Sequence, residues 1–427
     1  MGSPIRVGLR LAAVAFFVLA FPLAALAEGE VMAGTLISRQ GQDRVPVAGV
    51  TIVVSQDGTE IGRATSDDQG AWEVPLPGGG TYSVKLDVTT LPEGVALTDP
   101  TKEELPSVSV LDGQRKTVLF PLGEGTVSTV TTYQRVMGLF IAGLKLGAII
   151  AMAAVGLSLV YGVTKLVNFA HGEMVTLGAV LAYLFHATDG WPMWPLLLAA
   201  IPAVLLTAGF GGLQELALWR PLRRRRTDLI AMMVVSIGLA FAVRSLIQIF
   251  FGGLPRSYPQ YAGQAPIPFL GVSVPPKQLI TILVALVVLA GVGLFLQKTR
   301  AGTAMRAISD DPDLAESSGI DADRVILFTW LLAGGLAGMA GVFFGVNESV
   351  TYDMGFTLLL LMFAAVVLGG LGTAYGTMLG GFIVGVAVEM STLFVPSELK
   401  SAVGLVILIV MLLVRPQGIL GTRERIG

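Results

Sequence analysis

Apolar residues in this chain follow two different patterns. From about residue 137 onward they form long runs, near 137–161, 195–218, 228–251, 277–297, 324–346 and 399–414. Each approaches or exceeds the roughly 20 residues that a helix needs to cross a bilayer, the last being the shortest. Shorter or glycine-broken runs lie near 173–187, 357–370 and 376–395. Between Val31 and about Leu122 apolar positions instead alternate with polar ones: Val50, Ile52 and Val54; Trp72, Val74 and Leu76; Tyr82, Val84 and Leu86. Gln56-Asp57-Gly58 and Asp68-Gln69-Gly70 supply turn chemistry, and Pro77 to Gly80 a further break. The two periods predict an α-helical polytopic membrane protein of eight to nine hydrophobic segments, preceded by a small all-β exported sandwich domain. The expected divisions are a sandwich at 28–125, a linker at 126–134, a membrane domain at 135–420 and a tail at 421–427.

The N-terminus predicts the export. Arg6 and Arg10 precede the apolar stretch Leu11 to Leu23, and Ala25-Leu26-Ala27 offers a cleavage site before Glu28. Residues 1–27 therefore read as a signal peptide. An uncleaved signal anchor is the alternative, and it too places the sandwich outside the cytoplasm. The chain has no cysteine, so that domain must hold together through its core alone.

Composition agrees with a bilayer as solvent. Hydrophobic residues make up 53% and charged residues 14%, against about 25% charged in globular proteins. Mean hydropathy is +0.75. Residues 28–130 are acidic, with 15 Asp and Glu against 7 Lys and Arg, whereas residues 131–427 carry 15 against 19. Basic clusters at Arg220 with Arg223 to Arg226, at Lys298, Arg300 and Arg306, and at Arg415, Arg423 and Arg425 mark the cytoplasmic ends of segments. An exported N-terminus and a cytoplasmic C-terminus then require an odd number of crossings.

The candidate chemistry is concentrated in Tyr161-Gly162-Val163-Thr164-Lys165-Leu166-Val167-Asn168-Phe169-Ala170-His171-Gly172-Glu173. Asn168, His171 and Glu173 fall between two apolar segments, where polar groups usually face a cavity or another protein segment. Gly162 and Gly172 suggest a backbone break, which hydrocarbon tolerates only where protein or water satisfies the freed groups. These three residues are candidates for a transport path, or for a helix break that packs the bundle. Asn347, Glu348 and Glu389 are weaker path candidates. Glycines crowd residues 333–386, where small side chains allow helices to approach closely and some breaks can line a path.

The loop from Lys298 to Val325 carries a second pattern. Ala304 to Ser309 predict a short amphipathic helix, and Asp310 to Asp313 supply turn and N-cap chemistry for another. Two short helices projecting from a membrane domain would suit a lever docked in a partner.

On these residues a resemblance is explicit. Tyr161 to Ala179 resembles the signature of the LivH-type permease of branched-chain amino-acid ABC importers. Arg220-Pro221-Leu222-Arg223, Arg300 to Asp321, Met354-Gly355-Phe356 and Val367-Leu368-Gly369-Gly370-Leu371-Gly372 match the same family in order. The chain departs at Tyr352-Asp353, where the family usually has a proline, and at Leu361-Met362, where many members carry a lysine. Val47 to Leu86 is similar to the carboxypeptidase-regulatory or transthyretin-like sandwich. The resemblance implies an inner-membrane permease subunit working with a second permease subunit, two cytoplasmic ATPase subunits and an extracytoplasmic solute-binding protein. It implies a coupling loop to the ATPase at Arg300, Gly302, Arg306, Ala307, Asp310, Pro312, Glu316 and Gly319. The same signature occurs in permeases for urea and short-chain amides, so amino acids are the leading solute and those the alternative.

The chain has no G-x-x-x-x-G-K-[ST] phosphate loop, so ATP and magnesium would sit on partner subunits, and this chain would need no cofactor or metal. It also lacks H-E-x-x-H and G-x-S-x-G, which argues against an intramembrane enzyme. An ATP-independent channel or carrier would leave the short-helix loop without a purpose, and a nucleic-acid partner is not expected.

Overall fold

The computed structural model describes residues 30–40, 43–56, 58–97, 102–110, 114–123, 131–187, 194–261, 263–415 and 417–421. The expected signal segment, Asp57, residues 126–130 of the linker and residues 422–427 of the tail lie outside them. The described residues divide into two compact units, one over 30–123 and one from Thr131 onward.

The first unit is built of strands. Sheet order β5-β4-β7-β9 joins Thr59–Thr65, Thr51–Gln56, Gly80–Leu86 and Glu104–Val110, all antiparallel. A second sheet orders β10 (Arg115–Thr117), β1 (Val31–Thr35) and β6 (Ala71–Pro75). A third orders β3 (Asp43–Pro46), β2 (Ile37–Gln40), β11 (Leu122–Gly123) and β8 (Ala96–Leu97). β1 gives way to β2 at the fully buried Leu36, and all three sheets contribute to one core. The alternation has a direct consequence: Ile52 lies opposite Leu86 and Val54 opposite Val84, so their side chains share the buried face. The turn before β6 is organised by Asp67, whose carboxylate accepts from the N–H groups of Gln69 (2.9 Å) and Ala71 (2.8 Å). Tyr82 anchors the glycine turn by donating to Gly78 O at 2.6 Å.

The second unit is helical. Its apolar helices are α1 (Thr132–Thr164), α2 (His171–Ala187), α3 (Leu196–Arg224), α4 (Leu229–Phe251), α5 (Pro276–Lys298), α8 (Ala322–Asn347), α9 (Met354–Gly369), α10 (Ala374–Ser391) and α11 (Lys400–Val414). The short α6 (Arg300–Asp310) and α7 (Pro312–Ser317) lie between α5 and α8. α1 is the central post: it packs against α5, α8, α9 and α10, and is almost wholly enclosed from Ile141 onward. Its start carries a capping box of Thr131 and Gln134. Thr132 to Gln134, expected in the linker, are therefore its first turn. α3, α4 and α5 turn apolar side chains outward, such as Leu197, Ile249 and Val287. A surface of that kind suits hydrocarbon, not water.

Among the described residues six of these helices are long and apolar enough to cross a membrane: α1, α3, α4, α5, α8 and α10. This is fewer than the eight to nine segments read from the sequence. α2, α9 and α11 have 17, 16 and 15 residues and fall short by length. α3 passes through a wider π turn at Glu215–Trp219, where Trp219 stacks on Trp330 of α8 with centroids 5.9 Å apart. The fully buried Glu215 is held there by Arg223 at 2.5 Å and Arg220 at 3.5 Å.

Candidate functional site

α1 ends at Thr164, and Lys165 takes a left-handed conformation with φ 57° that turns the chain back. Residues 166–170 then run non-helically to the start of α2 at His171. The break lies here, not at the glycines that suggested it. Gly162 is helical and faces Gly372 and Ser309, while Gly172 lies in the first turn of α2 against the backbone of Gly355 in α9. Both are close-approach positions, and a Cβ at Gly172 would collide with Gly355. Gly355 N–H also donates to Thr176 Oγ1 at 3.0 Å, which joins the starts of α2 and α9.

The three principal candidates are all buried, at 0% exposure for Asn168 and His171 and 1% for Glu173. Each has a protein partner. Asn168 Oδ1 accepts from Ala170 N–H at 3.0 Å, and its carbonyl accepts from His171 N–H at 3.3 Å. His171 Nε2 is 2.9 Å from Ala153 O, which can only accept, so Nε2 carries the proton and Nδ1 is left without a partner. Ala153 is eleven residues before Thr164, about 16 Å along α1 at helical rise, so the imidazole wedges into the flank of α1 well away from its end. Glu173 Oε1 accepts from Arg244 Nε (3.1 Å) and Nη2 (2.8 Å). The guanidinium also lies over the Phe356 ring, 4.2 Å from its centroid. The Tyr161–Glu173 and Met354–Phe356 stretches, far apart in sequence, therefore meet.

Arg244 and Lys145 are partners of candidate residues that the reading of the sequence missed. Each is a lone charge inside a long apolar run, which was itself the available signal. The weaker candidates lie elsewhere. Asn347 Nδ2 donates to Thr281 Oγ1 at 2.9 Å and Phe343 O at 2.8 Å. Glu348 pairs with the buried Lys145 at 2.8 Å, and Glu389 with Lys400 at 3.3 Å. His186 approaches Trp194 O at 2.8 Å from the other end of α2, so the two histidines do not share a ligand.

The loop after α5 forms two helices, as expected, with α6 starting earlier than Ala304. Thr299 caps α6 by accepting from Gly302 N–H at 3.0 Å, and Asp311 caps α7 by accepting from Leu314 N–H at 3.0 Å. Gly302, Met305 and Ile308 form the buried side of α6, with Ala307 half-buried. Arg306 reaches back to donate to Leu296 O in α5. Gly319, at φ 85°, ends α7 in the left-handed conformation that lets Ile320 N–H reach Ala315 O at 3.1 Å. Arg300, Asp310, Pro312, Glu316 and Gly319 are exposed, and Leu314 stands among them with 65% of its surface open. Lys165 Nζ, at the break, donates to Ser309 O of α6 at 3.0 Å.

Comparison with known proteins matches residues 139–413 to the family described as branched-chain amino acid transport system / permease component. The chain is 31% identical over 296 residues to the high-affinity branched-chain amino acid transport system permease protein LivH of Escherichia coli (strain K12), covering 66% of this chain and 94% of that one. It is 33% identical over 290 residues to the permease protein BraD of Pseudomonas aeruginosa, with the same coverage. To the permease protein LivM of Salmonella typhimurium it is 27% identical over 297 residues, covering 62% of this chain and 66% of that one. No solved structure matches. The matched residues take in every helix from most of α1 nearly to the end of α11, including the break and both capped loop helices, and the chain belongs to the branched-chain amino acid transport system permease family.

Proposed function

We propose that this protein is the transmembrane permease subunit of an ABC importer, moving branched-chain or other amino acids inward by alternating access. Separate ATPase subunits, carrying ATP and magnesium, would drive it, and this chain would do no catalysis itself. A second permease subunit completes the pore, and an extracytoplasmic binding protein delivers the solute. In this reading α6 and α7 face the cytoplasm with the basic clusters, and the β unit is extracytoplasmic. The names of the LivH and BraD relatives favour branched-chain amino acids over urea or amides.

One observation carries the mechanism: the Lys165 to Ser309 hydrogen bond ties the exposed lever to the helix break. Movement of α6 under a docked ATPase would pull on Lys165 and shift the 165–170 segment against α1. Asn168, His171 and Glu173 then act as the internal fastening of that hinge, with Arg244 as partner, more than as groups that touch solute. Arg306 fixes α6 to the end of α5, so that the lever moves as a body.

The test is ATPase stimulation in the reconstituted complex. Lys165→Met and Arg306→Ala each remove a hydrogen bond made by an exposed charged side chain, worth about 0.5–1.5 kcal/mol. Solute-stimulated ATP hydrolysis is expected to fall about two- to tenfold in each, since ~1.4 kcal/mol is a factor of ten. Membrane insertion should be unchanged. Full coupling in both variants would refute the lever.

A further inference from the structure

A cavity of about 310 Å³ opens where the C-terminal end of α8, the start of α9, the end of α10 and the start of α11 converge. It lies at the other end of α8 from the coupling helices, about 39 Å away along 26 residues at helical rise. Pockets for small molecules run from about 300 to 1,000 Å³, so this one suits a single small solute.

Its lining is divided by chemistry. Glu348, Asp353 and Lys400 supply charge of both signs, and Leu146, Leu358 and Leu361 form an apolar wall. Lys145, buried at 5% exposure, is fastened to Glu348 at 2.8 Å and holds that carboxylate at the rim. Lys400 is 39% exposed at its side chain and meets Glu389 only at 3.3 Å, so its ammonium has donors to spare. Asp353 sits at the N-cap of α9 yet makes no capping hydrogen bond, and it has no ion pair among the described residues. A neutral solute such as urea would use neither charge and would leave the apolar wall uncovered.

We propose that this cavity is the outer solute seat of the permease, built for a zwitterionic α-amino acid with an apolar side chain. The solute's ammonium group lies against Asp353, its carboxylate against Lys400, and its side chain against the Leu146, Leu358 and Leu361 wall. This rests on the importer reading given above, and it adds the place of the seat and the residues that hold each part of the solute.

The chain has no cysteine, so an introduced one is its sole thiol. Thr357→Cys and Ser401→Cys place a thiol in the cavity lining, and Ser273→Cys places one at an exposed position of the 267–274 hairpin as a control. Modification of this chain by a membrane-impermeant thiol reagent is measured in the assembled importer without ATP. L-leucine at about ten times its half-protecting concentration is expected to slow reaction at 357 and 401 about tenfold. It should not slow reaction at 273. Urea and acetamide should not protect, and Asp353→Asn should abolish protection by leucine, each protected rate being compared with the unprotected rate of the same variant. Protection by acetamide, or by leucine equally in Asp353→Asn, would overturn the zwitterion seat. No protection by leucine in a complex that still imports leucine with ATP would overturn the seat and leave the importer reading standing. A complex that imports nothing would overturn the importer reading first.

Discussion

At the scale of residues, the Glu173–Arg244 pair is the interaction with the most at stake. Both groups are held from solvent between α2 and α4, and removing one leaves the other charged and alone. Breaking a buried pair in this way costs about 3–5 kcal/mol, whereas replacing both partners is often close to neutral. Arg244→Gln is therefore expected to lower the thermal stability of the solubilised complex sharply, and Glu173→Gln in the same chain should restore much of it. A cost in the double variant equal to that in the single one would show that the charge pair is not what holds α2. Sequence alone revealed half of this arrangement. Glu173, His171 and Asn168 stood out as polar groups between apolar runs, but a partner 71 residues away is set by helix packing, which no local pattern carries. His171 looked available for solute until the fold enclosed it against Ala153.

At the scale of elements, apolar period identified every long helix and the alternating stretches identified β4, β6 and β7. Length set the limit of that reading. α2 and α9 both start inside the bundle, where Gly172 meets Gly355, so their short runs are helices without full reach. The loop helices were legible because caps are local: Thr299, Asp311 and Gly319 act within a few residues of themselves. Gly319→Val forces a β-branched residue into a left-handed conformation that costs about 1–2 kcal/mol even for ordinary residues. It should fray α7, seen as faster amide exchange at Ser318 to Ile320, and weaken ATPase stimulation. Unchanged exchange there would contradict the cap. In the β unit, Asp87 accepts from the Thr89 hydroxyl (2.6 Å) and N–H (3.0 Å), and these bonds hold its carboxyl below the usual value of 3.8. A depressed value means the contribution is present above about pH 3.8 and lost as pH falls through the folded value. Asp87→Ala should therefore loosen the 88–90 turn at pH 7, read by amide exchange, with the gap to the parent narrowing in acid. A gap that persists unchanged at the lowest pH would rule out the carboxylate as its source.

At the scale of the whole molecule, the chain joins a strand-built unit to a bundle that belongs to a permease family, and the family match covers only the bundle. Charge distribution gave the direction of insertion as an expectation, since basic clusters are read by the membrane and not by the fold. In the proposed importer this chain carries solute only as part of a driven assembly. Flux of labelled leucine into proteoliposomes measures this most directly, comparing the chain alone with the chain plus its second permease, ATPases and binding protein. Uptake is expected to require the binding protein, the ATPases and ATP together, with none from the chain alone. Leucine flux through this chain by itself, independent of ATP, would contradict it.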